Sequence, residues 1–143
     1  MPVSLRYPEA IRPWQHVLEP LSGYLALAQA LVQAPATAPR AVNFGPDPAS
    51  FCTVREVVER FSASFSGRPG WRRDTGTHPK EASALTLSSA LAEKSLGWCP
   101  RLAVAESLAW TADWYGAHAA GENMTKYSEA QIARYQAMPA VRS

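Results

Sequence analysis

Apolar residues fall into short periodic runs separated by proline- and glycine-rich breaks. Leu18, Leu21, Leu25, Ala28 and Val32 recur at steps of three and four, which predicts one face of an amphipathic helix over roughly residues 19–33. Pro20 suits the first turn of that helix, where its missing N–H costs nothing. The run APATAP at 34–39 ends it. Residues 2–6 (PVSLR) and 40–45 (RAVNFG) read as short strands, the second closed by the Gly45-Pro46 turn. Thr53 and Glu56 have capping-box spacing at the start of a second helix. Val54, Val57, Val58, Phe61 and Phe65 form its apolar stripe, and SGRPG at 66–70 breaks it. Residues 71–74 (WRRD) read as a strand, 75–80 as a loop and 84–87 as a further extended piece. Ser88 is placed to cap a short helix that Gly97 ends in a left-handed conformation. Val104, Leu108, Thr111 and Tyr115 stripe a fourth helix that stops before Gly121. Ser128 and Gln131 frame a last helix carrying Ile132 and Tyr135.

The expected fold class is therefore α/β and helix-rich, with one domain over residues 1–143. Its strands are too short and scattered to make a complete sheet, so they read as the edge of a larger one. A hydrophobic content of 47% and a charged content of 18% suit an ordinary globular chain. A net charge of +2, from 14 basic and 12 acidic residues, gives no electrostatic case for nucleic acid or an anionic membrane. No apolar run reaches membrane-spanning length, and residues 1–20 carry Arg6, Glu9, Arg12 and Glu19 where a leader would be apolar. Cys52 and Cys99 follow no metal-ligand spacing. The expectation is a soluble cytoplasmic protein without nucleic-acid or membrane partners.

Complete catalytic sets are absent from these 143 residues. There is no G-x-G-x-x-G, Walker loop, H-E-x-x-H or G-x-S-x-G. None of the five tyrosines is followed four residues on by a lysine. The dense polar cluster RPWQHVL at 12–18 is what remains to be explained.

The string RPWQHVLEPLSGYL (12–25) resembles the CDP-glucose 4,6-dehydratases of the extended short-chain dehydrogenase/reductase group. NFGP (43–46), TVREVV (53–58), His78-Pro79 with Glu81-Ala82, LGW (96–98), Trp114-Tyr115 and Gln131-Ile132 follow in the family's order. The resemblance runs from Leu5 to about Tyr135. It implies the C-terminal, substrate-binding lobe of such an enzyme, without the N-terminal Rossmann core that carries the dinucleotide glycines and the Tyr-Lys pair. In the full-length family, bound NAD oxidises the sugar at C4, water leaves across C5–C6, and the hydride returns. By this implication NAD is not bound by this chain alone, the chain is inactive by itself, and its partners are a nucleotide sugar and a Rossmann-domain chain or a second copy. The alternatives are a stand-alone nucleotide-sugar or diphosphate binding module, and a non-catalytic helical interaction protein.

The substrate-binding set implied by the resemblance is Arg12, Trp14, His16, His78, Lys80 and Glu81. Arg12 would reach the diphosphate, for which a guanidinium offers a rigid fork of donors. Trp14 either walls the site or packs on the following helix, and His16 is either a donor or a satisfied structural histidine. Gln15 is expected to bond backbone. The family reads His-Pro-His-Glu-Ala where this chain has His78-Pro79-Lys80-Glu81-Ala82, so Lys80 keeps positive charge but loses an acceptor nitrogen. Thr86, Ser88 and Leu91 depart from positions that are usually charged. Trp98 is expected to pack on the preceding helix, and Trp110, Trp114 and Tyr115 to belong to the core.

Overall fold

A computed structural model describes residues 2–65 and 70–139. In chain order the elements are β1 (Val3–Leu5), β2 (Ile11–Arg12), α1 (Leu18–Gln33), β3 (Cys52–Thr53), α2 (Val54–Ala63), β4 (Trp71–Arg73), α3 (Ala90–Leu96), α4 (Val104–Ala119) and α5 (Met124–Ala137), with a 3-10 turn at Pro48–Ser50. The architecture is α/β and helix-rich, as the periodicity predicts. Most of the SGRPG breaker lies outside the described residues.

The strands make two separate pairs. β1 runs parallel to β4 with Val3 opposite Trp71 and Leu5 opposite Arg73. β2 runs antiparallel to β3, with Ile11 opposite Thr53 and Arg12 opposite Cys52. A two-stranded parallel pair is unusual, because parallel strands ordinarily lie inside larger covered sheets. The expected strand at 40–45 does not form: among the described residues, 41–47 pair with no strand. Residues 84–87 likewise make only a bridge, Ile11 to Ala84. Strand propensity creates a ladder only when a neighbour supplies the complementary edge.

Local signals set the helix ends well. Thr53 Oγ1 accepts from Glu56 N at 3.1 Å while Glu56 Oε2 accepts from Thr53 N at 2.7 Å, completing the capping box. Gly97 ends α3 at φ 64°, a conformation that favours glycine. Two starts differ from expectation. Ser89, not Ser88, is the N-cap of α3, and its hydroxyl is turned away to Gly45, accepting from the N–H at 2.8 Å and donating to the carbonyl at 3.0 Å. α5 begins at Met124, because Asn123 Oδ1 accepts from Lys126 N at 3.2 Å, ahead of the Ser128 signal.

Among the described residues three small clusters make the core. Phe44, Ala92 and Trp98 join α1 to α3 through Leu27. Cys52, Val57 and Val104 join α2 to α4, with Trp14 against them. Leu102, Trp110 and Tyr135 join α4 to α5, with Leu18 beside them. Trp98 and Trp110 are thus core residues, as expected. Tyr115 is not: it is exposed, and Trp114 is only partly buried.

α1 departs furthest from its sequence pattern. Leu21, Leu25, Ala28 and Val32 were expected to face the core and are exposed, while Glu19 and Gly23 are buried. The side turned inward is short and partly polar. Glu19 Oε1 accepts from Arg101 N at 2.9 Å and Leu102 N at 2.7 Å, and its Oε2 accepts from Tyr135 Oη at 2.8 Å. Ser22 Oγ, 3.1 Å from Tyr135 Oη, accepts from Trp98 Nε1 at 2.8 Å. Burial, with Glu19 as acceptor beside it, pushes the Tyr135 phenol well above its ordinary range, so it remains a donor. This network ties α1, α5 and the 98–102 loop together.

Candidate functional site

Arg12 stands at the end of a strand that is held on both sides. β3 pairs with it on one side, and on the other Ile11 N donates to Ser83 O at 2.9 Å while Leu85 N donates to Ile11 O at 3.0 Å. That second contact brings the 78–83 loop beside β2. The Arg12 guanidinium accordingly meets the Glu81 carboxylate through Nη2 and Oε1, and its Nη1 donates to Ile11 O at 2.7 Å. A cleft of about 510 Å³ opens over this pair, walled by Leu5, Tyr7, Ala10, Trp14 and Val54. A smaller recess of about 180 Å³ lies beside it, with Glu81 shared and Arg73 and Glu9 on its rim.

Three of the six expected residues, Arg12, Trp14 and Glu81, come together at this cleft. Trp14 lines the cleft while its Nε1 donates to Cys52 O at 3.2 Å; its ring packs on the Cys52, Val57 and Val104 cluster of α2 and α4, where the expected packing was on the following helix, α1. His78 lies behind the loop. Its ring meets Tyr7 edge-on at 6.3 Å, and its Nε2 sits 3.2 Å from Asp74 Oδ1, within ion-pair distance but not aligned as a hydrogen bond. Asp74 is held below the usual carboxylate range, chiefly by the N–H of Gly76 and then by His78. Tyr7 Oη donates to Pro79 O and so anchors the loop that carries Glu81.

Lys80 and His16 are placed elsewhere. Lys80 is exposed on the loop and lines neither cavity. His16 is buried, its ring edge-on to Trp110 at 5.8 Å and its Nδ1 accepting from Leu18 N at 3.3 Å. It lines a separate, mostly apolar cavity of about 440 Å³ with Trp114, Tyr115 and Ile132. Gln15 bonds backbone as expected, its Nε2 donating to Phe44 O at 2.9 Å.

Burial holds the His16 imidazole below its ordinary value of 6.5. The native state therefore disfavours the protonated form that the unfolded chain adopts below about pH 6.5. His16 should leave stability intact above that pH and reduce it as pH falls through 6.5 toward the lower folded value. Thermal midpoints recorded from pH 8 to pH 5 should fall, and His16→Gln should flatten that segment of the profile. An unchanged slope would contradict the assignment.

Tyr7 and Arg73 are cleft residues that the sequence pattern does not single out. Tyr7 sits in a proline-bounded loop without periodicity, and Arg73 is one of two adjacent arginines in a strand. Only the pairing of β1 with β4 brings Arg73 to the cleft side of the fold.

The α2 start is where a strand runs directly into a helix, the local arrangement a dinucleotide pyrophosphate would use. Its first N–H groups are already committed: Val54 N donates to Ala10 O at 3.0 Å, Arg55 N to Pro8 O at 2.9 Å and Glu56 N to Thr53 Oγ1. Those residues do not fit NAD. Among the described residues no group of three or more His, Cys, Asp and Glu side chains is gathered for a metal ion, and no helix is long and apolar enough to cross a membrane.

Comparison with known proteins agrees with the motif reading. No family model matches the chain. It is 39% identical over 133 residues to the CDP-glucose 4,6-dehydratase of Salmonella typhimurium, a match covering 93% of this chain. The chain spans only 37% of the length of that relative. The polypeptide is therefore a relative of CDP-glucose 4,6-dehydratase over little more than a third of that enzyme's length.

Proposed function

We propose that this chain is the nucleotide-sugar-gripping lobe of a CDP-glucose 4,6-dehydratase-like enzyme and does not carry out dehydration by itself. The observation that supports this most directly is the Arg12–Glu81 pair at the floor of an open cleft. A guanidinium there offers paired donors to a diphosphate, and a carboxylate beside it offers acceptors to sugar hydroxyls. Glu81 also competes for Arg12, so an arriving phosphate must displace an existing ion pair. Trp14 and Tyr7 supply flat walls, and Arg73 adds positive charge at the rim. Residues for NAD-dependent oxidation and for the elimination would come from the remaining part of such an enzyme, in the same polypeptide or another.

Calorimetric titration of the chain with CDP-glucose tests this reading. A half-site with one wall open to water should bind with a Kd of about 1 mM or weaker, near 4 kcal/mol. Arg12→Ala should weaken that binding by about tenfold or more, the loss of one charge-assisted contact. Affinity well below millimolar would favour a stand-alone binding module. Binding unaffected by Arg12→Ala, or dehydration by the chain alone, would overturn the proposal.

A further inference from the structure

The cavity beside His16 shares no lining residue with the cleft over Arg12. Its volume of about 440 Å³ lies within the range of small-molecule sites, about 300–1,000 Å³. Leu18, Trp114, Tyr115 and Ile132 give it an apolar wall, and none of its lining side chains is an acid, a lysine or an arginine. That wall is fixed by bonds of its own. Trp114 Nε1 donates to Ser128 Oγ at 3.1 Å, and the indole stacks on His118 with ring centres 5.7 Å apart. Gln131 Nε2 donates to Trp110 O at 3.0 Å, and Thr111 Oγ1 to Ser107 O at 2.7 Å. The exposed Val17, Tyr115 and Ile132 mark the mouth of the cavity, and His16, 6% exposed, marks its floor.

Two polar atoms of the lining residues lack partners among the described residues. His16 Nδ1 accepts from Leu18 N at 3.3 Å, so the proton of the neutral imidazole is on Nε2. No described residue accepts from that Nε2–H. Burial disfavours the doubly protonated ring, which keeps the floor uncharged. In the adjoining residue, Gln15 Nε2 is taken by Phe44 O at 2.9 Å, and Gln15 Oε1 is buried without a partner. Native structures rarely leave such groups unpaired, because the loss of hydration is not repaid. One of these two atoms donates and the other accepts. A hydroxyl answers both at once, and an aromatic ring carrying it suits the indole wall. An ionised ligand would find no counter-charge in this lining.

We propose that this cavity is a binding site for a small uncharged aromatic alcohol, whose hydroxyl accepts from His16 Nε2–H and donates to Gln15 Oε1 while its ring lies against Trp114. The site is distinct from the nucleotide-sugar cleft and does not depend on that reading. The two floor atoms give it a selectivity that an apolar groove lacks. A plain groove ranks ligands by hydrophobicity and takes toluene over anisole over phenol. The proposed floor reverses that order, since phenol both donates and accepts, anisole only accepts and toluene does neither.

The test is a titration of this chain with those three compounds, followed in proton–nitrogen spectra of the tryptophan indoles and histidine rings. Phenol should bind about fivefold or more tightly than toluene, the worth of one ordinary hydrogen bond, with anisole between them. The saturating shifts should fall on Trp114 Nε1–H and the His16 ring. Gln15→Met should reduce the preference for phenol while toluene still binds. Ile132→Trp, which fills the mouth from an exposed position, should abolish all three titrations. Tyr115→Ala on the same rim is the second variant should either of these fail to fold, and it should weaken phenol by about threefold or more. Toluene bound as tightly as phenol would overturn the proposal. So would saturating shifts that fall outside the cavity, an unchanged phenol preference in Gln15→Met, or phenol binding indifferent to both rim variants.

Discussion

Glu19→Ala should destabilise the fold by about 3–5 kcal/mol, since it orphans two backbone donors whose unpaired burial costs about 1–3 kcal/mol each and takes a third donor's carboxylate partner away. The donors are Arg101 N, Leu102 N and Tyr135 Oη, and the carboxylate they share is completely buried. The change also leaves a void where α1 meets α5. Glu19→Gln is the informative companion. Its amide oxygen can still accept from the two backbone N–H groups, and the Tyr135 hydroxyl can turn to Ser22 Oγ, 3.1 Å away. That variant should lose only about 1 kcal/mol, the net worth of one ordinary hydrogen bond. Urea unfolding followed by far-ultraviolet circular dichroism measures both. Equal stability of the alanine variant and the parent would show that the network does not hold α1 to the 98–102 loop.

Gly23→Ala carries the second large effect, and its sign is opposite to the one helix propensity gives. Alanine inside a helix is favoured over glycine by about 1 kcal/mol. A Cβ at position 23, however, would stand 2.3 Å from Phe44 Cδ1, 2.5 Å from Cγ and 2.6 Å from Cε1. The ring cannot simply swing away, because Trp98 meets it at 5.0 Å and Tyr24 at 5.7 Å. Overpacking of this kind costs about 1–3 kcal/mol or more, so a net loss of about 2 kcal/mol is expected. Adding Phe44→Leu should recover part of the loss, and the double-mutant cycle reads the coupling between the two sites directly. A single variant more stable than the parent would mean that α1 does not rest on Phe44 as described.

Both effects fall on residues whose importance has different visibility in the sequence. Gly23 lies within the string RPWQHVLEPLSGYL, yet nothing local distinguishes it from a tolerated helix glycine. Glu19 reads as a solvent-facing first-turn acid. Its burial depends on Leu102 and Tyr135, more than 80 residues away in sequence, and no periodicity carries such a contact. The apolar stripe of α1 is legible as a stripe, but its direction is not. Periodicity reports that one side of a helix avoids water, and the partner that satisfies it need not lie within the residues at hand.

The cleft divides in the same way. Arg12, Trp14 and Glu81 are found from motif resemblance, and the fold gathers them at one opening. His16 belongs to the same string but is directed against Trp110, because the chain turns into α1 just after it. Tyr7 and Arg73 reach the site through β1, β4 and the loop bond to Pro79, none of which leaves a spacing to read.

By itself the sequence determined the helices, the Thr53 capping box, the Gly97 stop and the motif string, because each depends on residues within a turn or two of one another. The tertiary structure alone decided which side of α1 is bare, that residues 41–47 have no ladder partner among the described residues, and that Glu81 holds Arg12. Those outcomes depend on contacts between distant segments, where burial and hydrogen-bond satisfaction outweigh local propensity.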